Sequence, residues 1–155
     1  MNPGQKVPNV HFHATSNLSA NLSDYQGQYI VLYFYPKDAT PGCTTEGQDF
    51  RDAYSQFQAL NAQIFGVSRD NLKSHENFKA KQNFPFELIS DPEEHLCLLF
   101  DVIKMKAMYG KQVRGIERST FIINPDGFLA HVWRKVRVKG HVAELLEILK
   151  QERSK

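Results

Sequence analysis

One cysteine of this 155-residue chain has the surroundings of a nucleophile. Cys43 lies just past a hydrophobic run, behind Thr40-Pro41-Gly42, at the start of a predicted helix. The unpaired N–H groups and the positive dipole end of a helix N-terminus favour thiolate over thiol, and the thiolate is the reactive form. Pro41 restricts the backbone, and Gly42 lets the chain pass close to whatever meets the sulfur. The sequence therefore predicts an activated cysteine.

The spacing around Cys43 argues against a local redox disulfide. A thioredoxin-like reductase carries Cys-x-x-Cys after its strand, whereas Thr40 occupies the first of those two positions here. A single cysteine with a hydroxyl three residues upstream is suited to attack an electrophile that the hydroxyl holds by a hydrogen bond. From position alone, the alternative is that Cys43 is a small, inert residue buried in a turn.

The apolar pattern predicts strands and helices that alternate along the chain. Continuous apolar runs indicate buried strands, and apolar residues at helical spacing indicate helices that pack on one face. Asp70 or Ser68 is a candidate N-cap for the second helix, and Pro92 is predicted as the first residue of the third. In chain order we predict a strand at 28–35, a helix at 44–60, a strand at 62–68, a helix at 69–82, a strand at 86–90, a helix from 91, strands at 119–124 and 128–133, and a helix at 139–150.

This order of elements predicts the fold class. Three strand–helix units, a β-hairpin and a closing helix imply an α/β protein in which a mixed central sheet is flanked by helices. In such sheets the catalytic loops lie at the carboxyl ends of strands. Because Cys43 follows its strand directly, it falls in that position.

Composition excludes several classes of function. The chain has the length of one domain, residues 1–155, with 41% hydrophobic residues and a net charge of +2, so we expect no nucleic-acid partner. We interpret the basic run at 134–139 as a solvated strand edge, with a binding patch as the less favoured alternative. No apolar run approaches membrane-spanning length, and the first eight residues do not resemble a secretory signal. Two distant cysteines favour a reducing compartment, so we expect a cytoplasmic protein with no membrane partner.

Several separate stretches share the motifs of one protein family, in the family's order. They are Phe34-Tyr35-Pro36-Lys37-Asp38, Thr40-Pro41-Gly42-Cys43-Thr44-Thr45-Glu46, Phe50-Arg51-Asp52, Gly66-Val67-Ser68, Ser90-Asp91-Pro92, Tyr109-Gly110-Lys111, Gly115-Ile116-Glu117-Arg118-Ser119-Thr120-Phe121 and Lys139-Gly140-His141-Val142. The chain thus resembles the peroxiredoxins, and more narrowly the bacterioferritin comigratory protein or peroxiredoxin Q group. The resemblance implies a thioredoxin-like fold and a thiol-dependent peroxidase that reduces hydrogen peroxide and organic hydroperoxides.

The resemblance also assigns roles to residues. It implies that Cys43 is the peroxidatic cysteine, that Thr40 hydrogen-bonds the peroxide, that Pro36 shields the sulfur and that Arg118 faces the thiolate. Donors from Thr40, Arg118 and the backbone near Gly42 would stabilise the negative charge that develops on the leaving oxygen. An arginine suits this position because it keeps its charge and presents a planar fork. Without the resemblance, a surface salt bridge between Arg118 and Glu117 would be favoured.

Glu46 has two interpretations in the sequence. It either pairs with Arg118 or simply favours the first turn of its helix. His131 and His141 are predicted to be surface or packing residues.

The chain departs from the family at the resolving cysteine. Many members carry one five residues after the peroxidatic cysteine, where this chain has Gln48, and residues 70–82 contain none either. Cys97 remains, either as an inert buried residue or as a resolving cysteine whose Cα approaches that of Cys43 within about 7 Å after local unfolding. We therefore predict a one-cysteine mechanism, in which glutathione, glutaredoxin or thioredoxin reduces the sulfenic acid.

Two other functions remain open from the sequence. The fold could serve a redox-sensing binding or chaperone protein, or an inactive scaffold, although neither needs the full set Pro36, Thr40, Cys43 and Arg118. His11 and His13 could share a strand face, but no third ligand lies nearby in the sequence, so we predict no metal. We expect no cofactor, and a monomer or weak dimer.

Overall fold

A seven-stranded mixed sheet forms the centre of the computed structural model, which describes residues 1–154. Its strands are β1 (His11–Ala14), β2 (Leu18–Asn21), β3 (Tyr29–Phe34), β4 (Ala62–Ser68), β5 (Glu87–Ser90), β8 (Ser119–Ile123) and β9 (Leu129–Trp133), whereas β6 (Ile103–Met108) and β7 (Lys111–Ile116) form a separate two-stranded sheet. The strand order of the central sheet is β2-β1-β5-β4-β3-β8-β9. The pairs β3–β4 and β4–β5 are parallel, and the pairs β1–β5, β3–β8 and β8–β9 are antiparallel.

Helices cover the sheet, as predicted. They are α1 (Pro41–Asp52), α2 (Tyr54–Ala59), α3 (Leu72–Gln82), α4 (His95–Leu99) and α5 (His141–Arg153), with one 3-10 helix at Leu22–Tyr25. No helix within the described residues is long and apolar enough to span a bilayer.

Side chains alternate between the two faces of the sheet and divide the core into two clusters. From β3, Ile30, Leu32 and Phe34 point into the first cluster, which also holds Cys97 and the aromatic ring of Phe100. Val31 and Tyr33 of the same strand, and Tyr35 directly after it, point into the second cluster, which holds Cys43, Phe50 and Leu145. The two cysteines are therefore buried on opposite sides of the sheet.

Several helix boundaries differ from the sequence prediction. The helix predicted at 44–60 begins at Pro41 and is two helices, because the chain leaves helical geometry at Ala53. α3 begins only at Leu72, where Asn71 rather than Asp70 or Ser68 is the cap and its side chain accepts a 2.8 Å hydrogen bond from the Ser74 N–H.

The helix predicted from Asp91 was also placed too early. Pro92 lies in a turn, and α4 starts at His95. The carboxylate of Asp91 accepts the N–H groups of Leu96 and Cys97, at 3.2 and 2.8 Å, so a side chain five residues upstream satisfies the free donors of this short helix.

The sequence prediction lacked two hairpins and misplaced the basic run. The hairpins β1–β2 and β6–β7 consist of short strands of mixed polarity, in which an alternation of apolar and polar residues is hard to recognise. The basic run at 134–139 lies beyond the last residue of β9, so the interpretation as a strand edge was wrong. Instead, the Val136 N–H donates to the Arg118 carbonyl at 2.9 Å.

Candidate active site

The sheet register places the loop before Cys43 beside Arg118. β3 and β8 are antiparallel, with Phe34 opposite Ser119. The residue after β3 and the residue before β8 therefore lie at the same end of the sheet. Because α1 starts after the short loop that follows β3, its N-terminus is held at this end as well.

Cys43 is the third residue of α1 and is 2% exposed. Thr40 precedes the helix in extended conformation, Pro41 occupies the first helical position, and the Thr40 carbonyl accepts the Thr44 N–H at 2.9 Å. The Thr40 hydroxyl does not cap the helix and instead donates to the Lys37 carbonyl at 2.8 Å. Its oxygen lone pairs stay available as acceptors, since a hydroxyl offers one proton and two acceptor sites.

Arg118 joins Cys43 to a buried carboxylate. One guanidinium nitrogen, Nη2, donates to Cys43 Sγ at 3.3 Å, and the other, Nη1, donates to Glu46 Oε1 at 2.6 Å. A Cβ added to Gly42 would lie 3.2 Å from Nη2, so the glycine leaves room for the guanidinium. Of the two interpretations of Glu46, the pair with Arg118 is the one that forms. Arg118 therefore pairs with Glu46 and not with Glu117.

Glu46 is fully buried and only half satisfied. Burial raises the pKa of Glu46 to about 7, although the charge of Arg118 acts in the opposite direction. Its second oxygen, Oε2, and the buried hydroxyl of Tyr33 have no hydrogen-bond partner among residues 1–154. Burial, with the charges of Glu46 and Cys43, also raises the pKa of Tyr33, so the phenol remains neutral.

A hydrogen-bond network that the sequence did not reveal fixes the loop at 36–40. Asp38 accepts the Tyr35 hydroxyl and the Ser74 hydroxyl, both at 2.7 Å, and contacts His75 Nδ1 at 2.7 Å. Its own N–H donates to Asp70 at 3.0 Å. The network links the loop to α3 and to the loop after β4, which positions the residues just before Cys43.

The same network contains a set of groups with the spacing of metal ligands. Ligand atoms of Asp38, Asp70 and His75 lie within 4.8 Å of one another. Each of these three side chains already has hydrogen-bond partners in the protein. Asp70 also accepts the Ser68 hydroxyl at 2.5 Å, and His75 Nε2 contacts the Ile89 carbonyl at 2.9 Å. We therefore interpret the cluster as a structural network.

Two more titratable side chains lie close to Arg118. His141 is buried and hydrogen-bonds Thr120 Oγ1 through Nε2 at 2.8 Å, as one of the predicted packing residues. Burial and the charge of Arg118 lower the pKa of His141 to about 4. Lys106 of β6 was not among the site residues that the sequence predicted. Its ammonium donates to the Ile116 carbonyl, and burial and Arg118 lower its pKa.

Cys97 lies apart from these groups. It is fully buried in the first core cluster, whereas Cys43 belongs to the second. Burial and the neighbouring carboxylate of Asp91 raise the pKa of Cys97, which keeps it as a thiol. Both cysteines are free. The structure therefore brings Pro36, Thr40, Gly42, Cys43 and Arg118 to one end of the sheet and leaves Cys97 beneath its other face.

Comparison with known proteins places the chain in a family. Residues 3–132 match the AhpC/TSA family. Peroxiredoxin Bcp of Bacillus subtilis is 54% identical over 147 residues, which cover 95% of this chain and 94% of the relative. Peroxiredoxin Bcp of Xanthomonas campestris is 57% identical over 149 residues, or 94% and 93% of the two chains.

A solved structure agrees with these relatives. The bacterioferritin comigratory protein of Xanthomonas campestris is similar with a TM-score of 0.92 at 47% identity, covering 98% of this chain and 99% of that one. The predicted thioredoxin-like α/β fold is thereby confirmed. The chain belongs to the AhpC/TSA family and, within it, to the peroxiredoxin Bcp or peroxiredoxin Q group of thiol-dependent peroxidases.

Proposed function

We propose that this peroxidase works by a one-cysteine mechanism, in which Cys43 reacts with the hydroperoxide and an external thiol reduces it again. The observation that carries the proposal is the arrangement of the two cysteines. Cys43 receives a hydrogen bond from Arg118 at one end of the sheet, and Cys97 is buried beneath the opposite face.

In the oxidative step, the Cys43 thiolate attacks one oxygen of the hydroperoxide and the O–O bond breaks. An S–O bond forms, the sulfur loses two electrons to become a sulfenic acid, and the leaving alkoxide or hydroxide takes a proton to become an alcohol or water. Arg118 donates to the sulfur and is anchored by Glu46, so it offers fixed positive charge where the leaving oxygen becomes negative. Preorganised donors of this kind need no rearrangement during the reaction.

The neighbouring residues orient the substrate. The Thr40 hydroxyl donates its hydrogen bond to the Lys37 carbonyl, so its oxygen is free to accept a hydrogen bond from the O–H of the hydroperoxide. Gly42 leaves space for the guanidinium, and half-buried Pro36 limits access of water to the sulfur. These roles agree with those that the family resemblance implies.

The reductant must come from outside this chain. Gln48 stands where many relatives have a resolving cysteine and donates to Gln82 Oε1 at 2.9 Å. For Cys97 to reach Cys43, one of the two cysteines would have to leave its face of the sheet, because a disulfide requires Cα atoms within about 7 Å. A thiol such as thioredoxin, glutaredoxin or glutathione would reduce the sulfenic acid instead.

Organic hydroperoxides are included among the proposed substrates. An alkyl peroxide reduction activity is attributed to the similar bacterioferritin comigratory protein of Xanthomonas campestris. Two free thiols also fit a reducing compartment, for which we propose the cytoplasm. The predicted monomer or weak dimer stays a prediction.

Intact mass after one equivalent of peroxide tests the mechanism. We expect a gain of one oxygen, which dimedone traps and excess peroxide converts to the sulfinic acid. Cys43→Ser should abolish peroxide reduction with dithiothreitol, while Cys97→Ala should retain most of it because the side chain is inert.

A different product would contradict the mechanism. A quantitative Cys43–Cys97 disulfide, seen as the loss of two hydrogens and resistance to dimedone, would make Cys97 the resolving cysteine. Loss of turnover in a folded Cys97→Ala variant would lead to the same conclusion.

A further inference from the structure

Two basic segments bracket the active-site arginine. The β6–β7 hairpin, residues 103–116, leads into Arg118, and the Lys106 ammonium donates to the carbonyl at the end of β7. The segment at 134–139 returns to the same place, where the Val136 N–H donates to the Arg118 carbonyl at 2.9 Å. We call these two segments the basic collar.

The charge of the chain is strongly uneven because of this collar. Each segment contains four Lys or Arg and no Asp or Glu. The collar thus holds eight of the nineteen cationic residues, which leaves eleven against seventeen carboxylates in the rest of the chain. The rest of the chain thus carries an excess of carboxylates, and the excess of positive charge is concentrated in the two segments that adjoin Arg118.

Most of these charges are not neutralised within the chain. Lys104 pairs with Asp101, Arg114 pairs with Glu94, and Arg134 donates to two backbone carbonyls. The other five have no carboxylate within ion-pairing distance in the described part of the chain, and all but Lys106 are exposed: Lys106, Lys111, Lys135, Arg137 and Lys139. A surface with this many free cations favours an anionic partner.

Apolar side chains lie among the hairpin charges. In the β6–β7 register, Lys106 pairs with Val113 and Met108 with Lys111, so strand alternation puts these four on one face. Val113 is 40% exposed and Met108 is 50% exposed, and Tyr109 at the turn is 98% exposed. Exposed apolar side chains beside unpaired cations offer a protein partner both apolar contact area and complementary charge.

We infer that the basic collar is the docking surface for an acidic redox protein that carries two thiols. The inference rests on the one-cysteine function proposed above. The partner's first thiol attacks the sulfur of the Cys43 sulfenic acid, the S–O bond breaks, and water leaves with the proton of that thiol. The partner's second thiol then attacks the mixed disulfide, releases the Cys43 thiolate and leaves the partner as a disulfide, which balances the two electrons that the peroxide removed.

A dithiol protein fits the site better than a small monothiol. This chain offers no second thiol on the Cys43 side of the sheet within residues 1–154, so the mixed disulfide must be opened by a thiol from outside. A partner with two thiols supplies both within one complex, whereas a monothiol needs a second encounter. Complementary charge then speeds encounter and orients the partner's thiol toward Cys43.

A charge-reversed variant tests the docking surface. We expect Lys111→Glu/Arg137→Glu to lower kcat/KM for an acidic thioredoxin, supplied with its reductase and NADPH, by about tenfold at low ionic strength. Turnover driven by dithiothreitol should not change, because neither residue belongs to the site around Cys43. Added salt should narrow the difference between variant and parent.

The matched control reverses two charges at the other end of the molecule. Lys6 contacts the carbonyl of Asp126, in the turn beyond the far end of β8, and Lys150 lies near the end of α5 that is distant from His141. Lys6→Glu/Lys150→Glu changes net charge equally and should leave both assays unchanged.

Several outcomes would overturn the inference. They are equal losses in both variants, a collar variant as active as the parent with thioredoxin, or a collar variant that also fails with dithiothreitol. Collar-dependent binding to phosphatidylglycerol vesicles with unchanged thioredoxin kinetics would assign the surface to a membrane instead. If the parent turns over with dithiothreitol but not with thioredoxin, the docking surface is overturned and the proposed function is not. If the parent turns over with neither reductant, the proposed function is overturned as well.

Discussion

At the scale of single residues, Gly42 controls where the Arg118 guanidinium lies. A Cβ at this position would stand 3.2 Å from Nη2, the nitrogen that donates to Cys43 Sγ. We expect Gly42→Ala to displace the guanidinium and to slow the reaction of Cys43 with peroxide by about tenfold, since small misplacements of catalytic groups cost rate. Stopped-flow measurement of the second-order rate constant tests this.

A second glycine provides the control for this substitution. At Gly115, the nearest atom to an added Cβ is Arg69 Nη2 at 3.9 Å, which is an ordinary contact. Gly115→Ala should therefore react like the parent. Equal rate constants for Gly42→Ala and the parent would show that the guanidinium does not need this space.

The buried carboxylate of Glu46 makes stability depend on pH. Its native pKa of about 7 lies above its ordinary value, so the folded protein binds the proton more tightly and stability falls as pH rises through this window. We expect this group to lower the free energy of unfolding by about 3 kcal/mol between about pH 4 and pH 7. Glu46→Gln should remove that loss, so its stability should rise with pH relative to the parent in urea titrations. A parallel pH profile in variant and parent would contradict the burial argument.

At the scale of elements, the contact of α5 with β8 has the opposite pH dependence. His141 begins α5, and its native pKa of about 4 lies below its ordinary value. The unfolded chain then binds the proton more tightly, so stability is lost as pH falls through this range. We expect the titration of His141 to lower the free energy of unfolding by about 3 kcal/mol between about pH 7 and pH 4. In the parent this change offsets the effect of Glu46.

His141→Gln isolates this second contribution. Glutamine can keep a hydrogen bond to Thr120 without titrating, so the variant should become more stable relative to the parent at acid pH. Urea titrations at the two ends of the pH range measure the difference. His131→Gln serves as the control, because His131 lies partly exposed beside Glu152 rather than in the core. Equal changes in stability at acid pH for both histidine variants would show that burial of His141 is not the cause.

At the scale of the whole molecule, the sheet separates the two thiols. A Cys43–Cys97 disulfide should therefore form only when the sheet opens, so its yield after peroxide treatment should follow the unfolded fraction across a urea series. Peptide mapping without reductant measures this yield. A yield in native buffer equal to that near the unfolding midpoint would show that a local movement suffices.

The family and the fold class could be predicted from the sequence, and so could the expectation that the site lies at the carboxyl end of a strand. The run ending at Tyr35, the loop to Cys43 and the strand at Ala62–Ser68 are strong local signals, because buried strands and helix N-termini depend on neighbouring residues. The roles of Thr40, Pro36 and Gly42 were likewise assigned by motif and stay proposals. The first helix was predicted too long and the third too early, since neither the break at Ala53 nor the cap from Asp91 has a local signature.

Contacts between residues that are distant in the sequence depend on the tertiary structure. Arg118 approaches Cys43 and Glu46 because β8 runs antiparallel to β3, and that register depends on the whole sheet. Cys97 was ambiguous in the sequence because a buried cysteine looks the same on either side of a sheet, and strand alternation placed it opposite Cys43. The basic run at 134–139 is a similar case, because only the fold shows that this segment lies against the carbonyl of Arg118.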